Sequence, residues 1–256
     1  RADQLPSQVT IPNPLIEGVL VWPAQHAGFL GPKYDPFVLS DDPNSKDYKL
    51  KGLSLIDGLT AERLINRRKL LQDIDCGQEG VTSSPQGRKY SSQQELAFSM
   101  LTTSKLKDAL DINAESAETR DRYGRHKYGQ TLLLARRLVE AGTSLITVNW
   151  DDETKHEKQS PFWDTHHNNF SRLKGHLGPP FDQSFSAFLE DLDQRGLLET
   201  TLICVMGEFG RSPKIGRVVQ NGMTEKTGRD HWPYAFTVLL AGGGVRGAQV
   251  FGSTDK

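Results

Sequence analysis

At 256 residues the chain is long enough for one large α/β domain with a sizeable core. Its 31 Lys and Arg against 32 Asp and Glu give a formal net charge of -1, spread along the sequence without a basic block, so it lacks the electrostatic footprint of a nucleic-acid or anionic-membrane binder. No apolar run approaches the roughly 18 residues of a transmembrane helix.

The first third is rich in proline, glycine and turn residues. Ile11-Pro12-Asn13-Pro14, Leu30-Gly31-Pro32 and Ser40-Asp41-Asp42-Pro43-Asn44 interrupt any long element, so residues 1–127 are expected to form an irregular, partly helical region that wraps the surface. A first helix is expected from the N-cap residue Thr60 through Leu64, Leu71 and Ile74, whose spacing returns them to one face. The stretch from Gly77 to Arg88 reads as loop. Ser91 with Gln94, and Ser92 with Glu95, resemble capping boxes and predict a second helix over Gln93 to Thr102. The polar segment from Asp111 to Lys127, with Arg120-Asp121-Arg122-Tyr123-Gly124 near its end, reads as solvated charge, with a substrate-facing loop as the alternative.

From Tyr128 onward helix and strand signals alternate. Gln130 to Ala141 is expected to be a helix closed by Gly142, followed by a strand from Ser144 to Trp150. Phe181, Phe185, Phe188 and Leu192 form the stripe of a helix that Gly196 stops. Thr201 to Met206 is apolar without period-two alternation, the pattern of a central parallel strand buried on both faces. Ala235 to Leu240 reads as a further strand running into the turn Ala241-Gly242-Gly243-Gly244, which lacks the spacing of a phosphate loop. Cys204 inside the apolar run and Cys76 in a polar loop make neither a disulfide framework nor a thiolate site. The expected fold class is α/β, a mostly parallel central sheet covered by helices on both faces, with residues 128–256 as the regular core of a single domain.

Three motifs carry the chemistry: Trp163-Asp164-Thr165-His166-His167, Gly207-Glu208-Phe209-Gly210-Arg211, and Gly228-Arg229-Asp230-His231-Trp232. They flank the expected strand ends, where open α/β sheets gather ligands. Carboxylate oxygens mixed with imidazole nitrogens suit a divalent cation, zinc or manganese foremost, with calcium and magnesium left open. The candidate ligands are Asp164, His166, Glu208, Asp230 and His231, with His167 as an alternative to His166 and Asp230 as either a ligand or an orienting partner of His231. Because an imidazole must be neutral to ligate, cation affinity is expected to weaken as pH falls through about 6.5. Each motif also fits a structural role: a loop anchor at Asp164 and His166, an ion pair at Glu208 and Arg211, a packed histidine at His231. His26, His126, His156 and His176 lie outside these motifs and are expected at the surface.

These motifs, the phrase Arg195-Gly196-Leu197-Leu198-Glu199-Thr200-Thr201-Leu202, and the run Gly129-Gln130 to Ala135-Arg136-Arg137-Leu138-Val139-Glu140-Ala141-Gly142 closely resemble the bacterial family called domain of unknown function 1501. The resemblance covers essentially the whole chain and is strongest from Gly129 to Lys256. It implies a remote branch of the alkaline phosphatase and sulfatase superfamily, common in planctomycetes and usually periplasmic or otherwise exported, often by a twin-arginine signal. The implied activity is metal-dependent hydrolysis of a phosphate or sulfate ester in a small molecule or glycan. Asp164 with His166, then Glu208, then His231 match the superfamily's three sets of ligands to two metal ions. Arg211 and Arg229, as fixed planar cations, are the implied catalytic groups for the ester's oxyanion.

Two departures bear on that implication. Glu208 is followed by Phe209, which cannot ligate, where the superfamily has Asp followed by His or Asn. The nucleophile and one metal-binding Asp are expected on an opening strand before Arg1, so the chain as given is expected to be a poor catalyst. The alternative is a catalytically degenerate, exported binding or scaffold protein that keeps the fold and one metal. Phosphate against sulfate, and the oligomeric state, stay open.

Overall fold

The computed structural model describes residues 5–17, 20–48, 53, 55, 58–75, 84–102, 104–150, 163–216 and 227–253; Cys76 and His156 lie outside the described residues. The chain divides into two compact units, Arg1–Ala117 with His126–Asn149, and Glu118–Arg125 with Trp150–Lys256.

The first unit opens with β1 (Gln8–Ile11), the antiparallel pair β2 (Ile16–Glu17) and β3 (Leu20–Val21), and β4 (Phe37–Val38). It continues through α1 (Ala61–Asp75), α2 (Pro85–Thr102) and α3 (Ser104–Leu110). Next comes α4 (Ala117–Tyr123), which lies almost wholly in the second unit, then α5 (Lys127–Ala141) and β5 (Leu145–Val148). β1 is the middle strand of a small parallel sheet in the order β4-β1-β5. Its register runs Val9 to Phe37 on one side and Gln8 through Ile11 to Leu145 through Val148 on the other. Val9 and Ile11 on one face are 1% and 0% exposed and Thr10 on the other is 5% exposed, as a parallel strand covered on both faces requires. The proline-rich first third is therefore not only a surface wrap. The β-branched triplet Val9-Thr10-Ile11 supplies a core strand inside it.

Local signals place the helices. Thr60 caps α1 as expected, its Oγ1 accepting the Arg63 amide at 3.1 Å. α2 starts earlier than Gln93, because the Ser84 hydroxyl accepts the Gly87 amide at 3.0 Å and Pro85 fits the first helical position. Ser91 and Ser92 are thus inside the helix, and residues 85–88 of the expected loop are helical. The segment from Asp111 to Lys127 is likewise not a plain loop, since it holds α4. His126 is not a bare surface residue: its Nδ1 accepts the Gly129 amide at 3.3 Å and caps α5. At the other end Gly142 adopts the left-handed conformation, φ 100°, that closes the helix.

α5 is the core of this unit. Leu132, Leu133, Leu134 and Leu138 are buried, and α3 packs on it with Leu106 and Leu110. Arg136, 1% exposed, is paired at 2.8 Å with Glu115 and at 2.8 Å with Glu140. Arg137 also grips Glu115 and donates to the Ala109 carbonyl at 2.9 Å. Burial alone would raise the Glu115 carboxyl, but the hydrogen bonds and charges of Arg136 and Arg137 outweigh it and hold the group below the usual carboxylate range.

In the second unit α6 (Asn169–Arg172) runs through one π turn, Leu173–Leu177, into α7 (Gly178–Gln194). The expected stripe is present: Ala187, Phe188 and Leu192 are buried, and Phe181 stacks on Phe185 at 5.2 Å while meeting Trp150 and Trp163 edge-on at 5.5 and 6.0 Å. The Tyr123 hydroxyl donates to Asp191 at 2.9 Å and the Ser184 hydroxyl to the Tyr123 carbonyl at 2.8 Å, tying α4 to α7. Beyond Gly196 come β6 (Ile203–Val205), β7 (Gly210–Arg211), β8 (His231–Trp232) and β9 (Leu239–Ala241).

These strands correct the expected sheet. β6 pairs with β9 and β7 with β8, both antiparallel and each a two-stranded ribbon. The run from Thr201 to Met206 is not a central buried strand: Leu202 and Met206 are each 59% exposed and Cys204 is exposed. The strand expected from Ala235 shortens to Leu239–Ala241. The described fold is mixed α and β with one small parallel sheet, and the mostly parallel sheet expected over residues 128–256 is not what those residues form. Among the described residues no helix is long and apolar enough to cross a membrane.

Candidate metal centre

The loop after Trp163 is drawn tight by two successive bonds across one residue, Thr165 N to the Trp163 carbonyl and His166 N to the Asp164 carbonyl, both 2.9 Å. Asp164 and His166 therefore reach the same space. His231 arrives on β8, opposite Arg211 of β7 in the ribbon register. The loops meet because two glycines leave room. A Cβ on Gly228 would lie 1.7 Å from the His166 carbonyl oxygen, and one on Gly210 would lie 1.8 Å from the Ala235 carbonyl oxygen.

Asp164, His166 and His231 form a group able to hold a metal ion. The His231 Nε2 lies 2.8 Å and the His166 Nε2 3.0 Å from Asp164 Oδ1, and the two Nε2 atoms are 3.1 Å apart. Arg211 donates to the same Oδ1 from Nη2, and also to the Trp163 carbonyl at 3.3 Å and, from Nη1, to the Arg229 carbonyl at 3.1 Å. Burial works to raise the Asp164 carboxyl. The hydrogen bonds from His231 and Arg211, with the charges of Arg211 and His166, outweigh burial and hold Asp164 below its ordinary range, in the anionic form that ligation needs.

The two imidazoles differ. His166 is 4% exposed in its side chain and His231 47%. The Phe209 ring lies 4.4 Å from the His231 ring and packs against it, so the residue that cannot ligate helps to set the direction of one that can. His167 stays outside that group: its Nε2 meets Asn168 Nδ2 at 2.8 Å and its Nδ1 meets Thr227 Oγ1 at 3.3 Å. His166 Nδ1 is buried without a hydrogen-bond partner, and the nearest recorded carboxylate, Asp230 Oδ1, stands 3.7 Å away.

The other predicted residues take outer places. Glu208 is exposed and stands outside the triad. Asp230 faces His166 and not the cluster of three ligand atoms. Ser212 anchors it, donating its amide to the Asp230 carbonyl at 2.8 Å and accepting the Asp230 amide at 3.1 Å. Arg229 donates Nε to the Ser212 carbonyl at 2.6 Å. Residue types alone did not reveal Phe209, Ser212 or Thr227 as supports; the glycine opening Gly228-Arg229-Asp230-His231 was the available signal of a close backbone approach.

The chain belongs to the family described as Protein of unknown function (DUF1501), which matches residues 1–256. No curated protein and no solved structure matches it.

Proposed function

We propose that this chain is a metal-dependent, hydrolase-like protein of the alkaline phosphatase and sulfatase type, exported from its cell and acting on phosphate or sulfate esters through one divalent cation. The observation that supports this reading is the meeting of Asp164, His166 and His231 around a single small space. The donor set fits such an ion: two imidazole nitrogens and one carboxylate held anionic, the chemistry of three-ligand zinc sites that keep a further position for water or substrate, and of manganese. Once bound, the cation would polarise an ester oxygen as a Lewis acid.

The chain's own residues divide the remaining work. Arg211 holds Asp164 and is committed to three acceptors in the loop, so it positions a ligand. Arg229 uses Nε for the Ser212 carbonyl, and among the described residues its terminal nitrogens have no recorded bond, which makes it the better donor to an ester oxyanion. The exposure of Glu208, away from the triad, supports one cation in place of two. The same fact supports the second reading, an exported binding or scaffold protein with one structural metal.

Metal content after purification without chelator tests the site. One zinc or manganese per chain is expected, and none in His231→Ala. Absence of metal in the unmodified protein overturns both readings. Turnover of a phosphate or sulfate monoester that His231→Ala abolishes supports the hydrolase; tight metal without turnover of either ester supports the binding protein.

A further inference from the structure

We infer that Asp230 is a positioning residue that fixes His166 in its cation-binding tautomer, acting from the side of the ring away from Asp164 and His231. This rests on the one-cation reading above. A neutral imidazole carries one proton on one of two nitrogens. His166 points Nε2 at Asp164 Oδ1 and His231, at 3.0 and 3.1 Å, so Nε2 is the atom that would ligate. Ligation through Nε2 leaves the proton on Nδ1. That nitrogen is buried and has no hydrogen-bond partner, and a buried N–H left so disfavours the tautomer that carries it.

Asp230 supplies the acceptor. Its Oδ1 stands 3.7 Å from Nδ1, beyond hydrogen-bond reach by less than 1 Å. Its backbone is fixed by both bonds to Ser212, so a small movement of side chain or ring closes the gap without moving β8. Adjacent residues therefore serve the two sides of one ring: His231 meets Nε2 and Asp230 faces Nδ1. Without a cation, a proton on His166 Nε2 would have Asp164 Oδ1 as its acceptor, 3.0 Å away. With a cation held by Nε2, the ring's proton would sit on Nδ1, where the Asp230 carboxylate would accept its hydrogen bond. A carboxylate behind a ligating histidine orients the ring and raises its basicity toward metal.

Two measurements test this on the whole chain. Zinc affinity is read by competition with a chromogenic chelator, and the visible spectrum of the cobalt(II) form reports ligand geometry. Asp230→Asn and Asp230→Ala are expected to keep one ion per chain while losing about ten- to a hundredfold in affinity and altering the cobalt spectrum. Asp230→Glu is expected to recover part of the loss. Affinity within twofold of the unmodified protein in both variants overturns the inference and leaves the triad standing; loss of the ion altogether in Asp230→Asn overturns it in favour of a direct ligand. If the unmodified protein binds no zinc, the site reading itself fails. Nitrogen-15 spectra of the unmodified protein, which need no variant, should place the His166 proton on Nε2 without zinc and on Nδ1 with it. A zinc complex ligated through Nδ1 overturns the assignment.

Discussion

The two charged clusters of this chain look alike in composition and differ in construction. In the first unit Glu115 lies between Arg136 and Arg137, with Arg136 also on Glu140 one helical turn away. In the second, Asp164 receives Arg211, His166 and His231 on one oxygen, from three loops held together by close backbone contacts at Gly210 and Gly228. The first cluster shares its cations among two carboxylates and two backbone carbonyls, those of Asp108 and Ala109, on and beside a packed helix. The second crowds its donors on a single carboxylate oxygen that belongs to a group able to hold a cation. The first spreads its charge pairs over several acceptors in the packing around one helix, whereas the second brings three possible cation ligands to one space.

The comparison is broken most directly at Glu115. Arg136 is 1% exposed, and removal of its buried partner takes the better-shielded carboxylate from a charge that water cannot reach, since Glu140, which stays, is 47% exposed. Glu115→Ala is expected to cost about 3 kcal/mol of unfolding free energy, the scale for breaking a buried ion pair, measured by urea denaturation followed by circular dichroism. Metal content should be unaltered. A loss below about 1 kcal/mol, the scale of an exposed pair, would show that the cluster around α5 is no more structural than a surface ion pair.

Gly228→Ala sharpens the other half. The added Cβ would meet the His166 backbone at 1.7 Å, and neither partner is a flexible side-chain end, so the loop carrying Asp164 and His166 must move away from β8. Metal affinity should fall by about ten- to a hundredfold, the effect of disturbing what orients a ligand, as read by the same chelator competition. Unchanged affinity would mean that the approach of the two loops does not set the triad.

Legibility in the sequence followed how local each cause is. The caps at Thr60 and Gly142 and the stripe of α7 were readable because helix signals lie within a few residues. Val9-Thr10-Ile11 was hidden by the prolines that follow it, although a β-branched triplet can form a core strand wherever neighbours cover it. Thr201 to Met206 misled for a related reason: an apolar run indicates capacity for burial, and only the identity of its neighbours, here β9 alone among the described residues, decides whether burial follows. Asp164, His166 and His231 were legible as a set because few residue types ligate a cation. Their separation from Glu208 was not, since a residue's type carries no direction, and neither was the engagement of His167 by Thr227 and Asn168, which leaves His166 as the member of the group.

Acid provides the finest contrast, with the smallest expected effect. Glu115 and Asp164 both have folded values below their ordinary range, so each adds stability that is complete above the unfolded value of roughly 4 and is lost as pH falls through the folded value. The Glu115 side chain is 10% exposed and that of Asp164 37%, so solvent screens the second far more. Unfolding free energy of the metal-free protein should therefore decline as pH falls below roughly 4, and Glu115→Gln should flatten that decline. Asp164→Asn should change stability at neutral pH by less than about 1 kcal/mol, the scale of exposed pairs, and leave most of the acid slope in place. If Asp164→Asn flattens the slope as much as Glu115→Gln does, the carboxylate of the candidate metal centre is a structural anchor like Glu115, and the distinction between the two clusters fails.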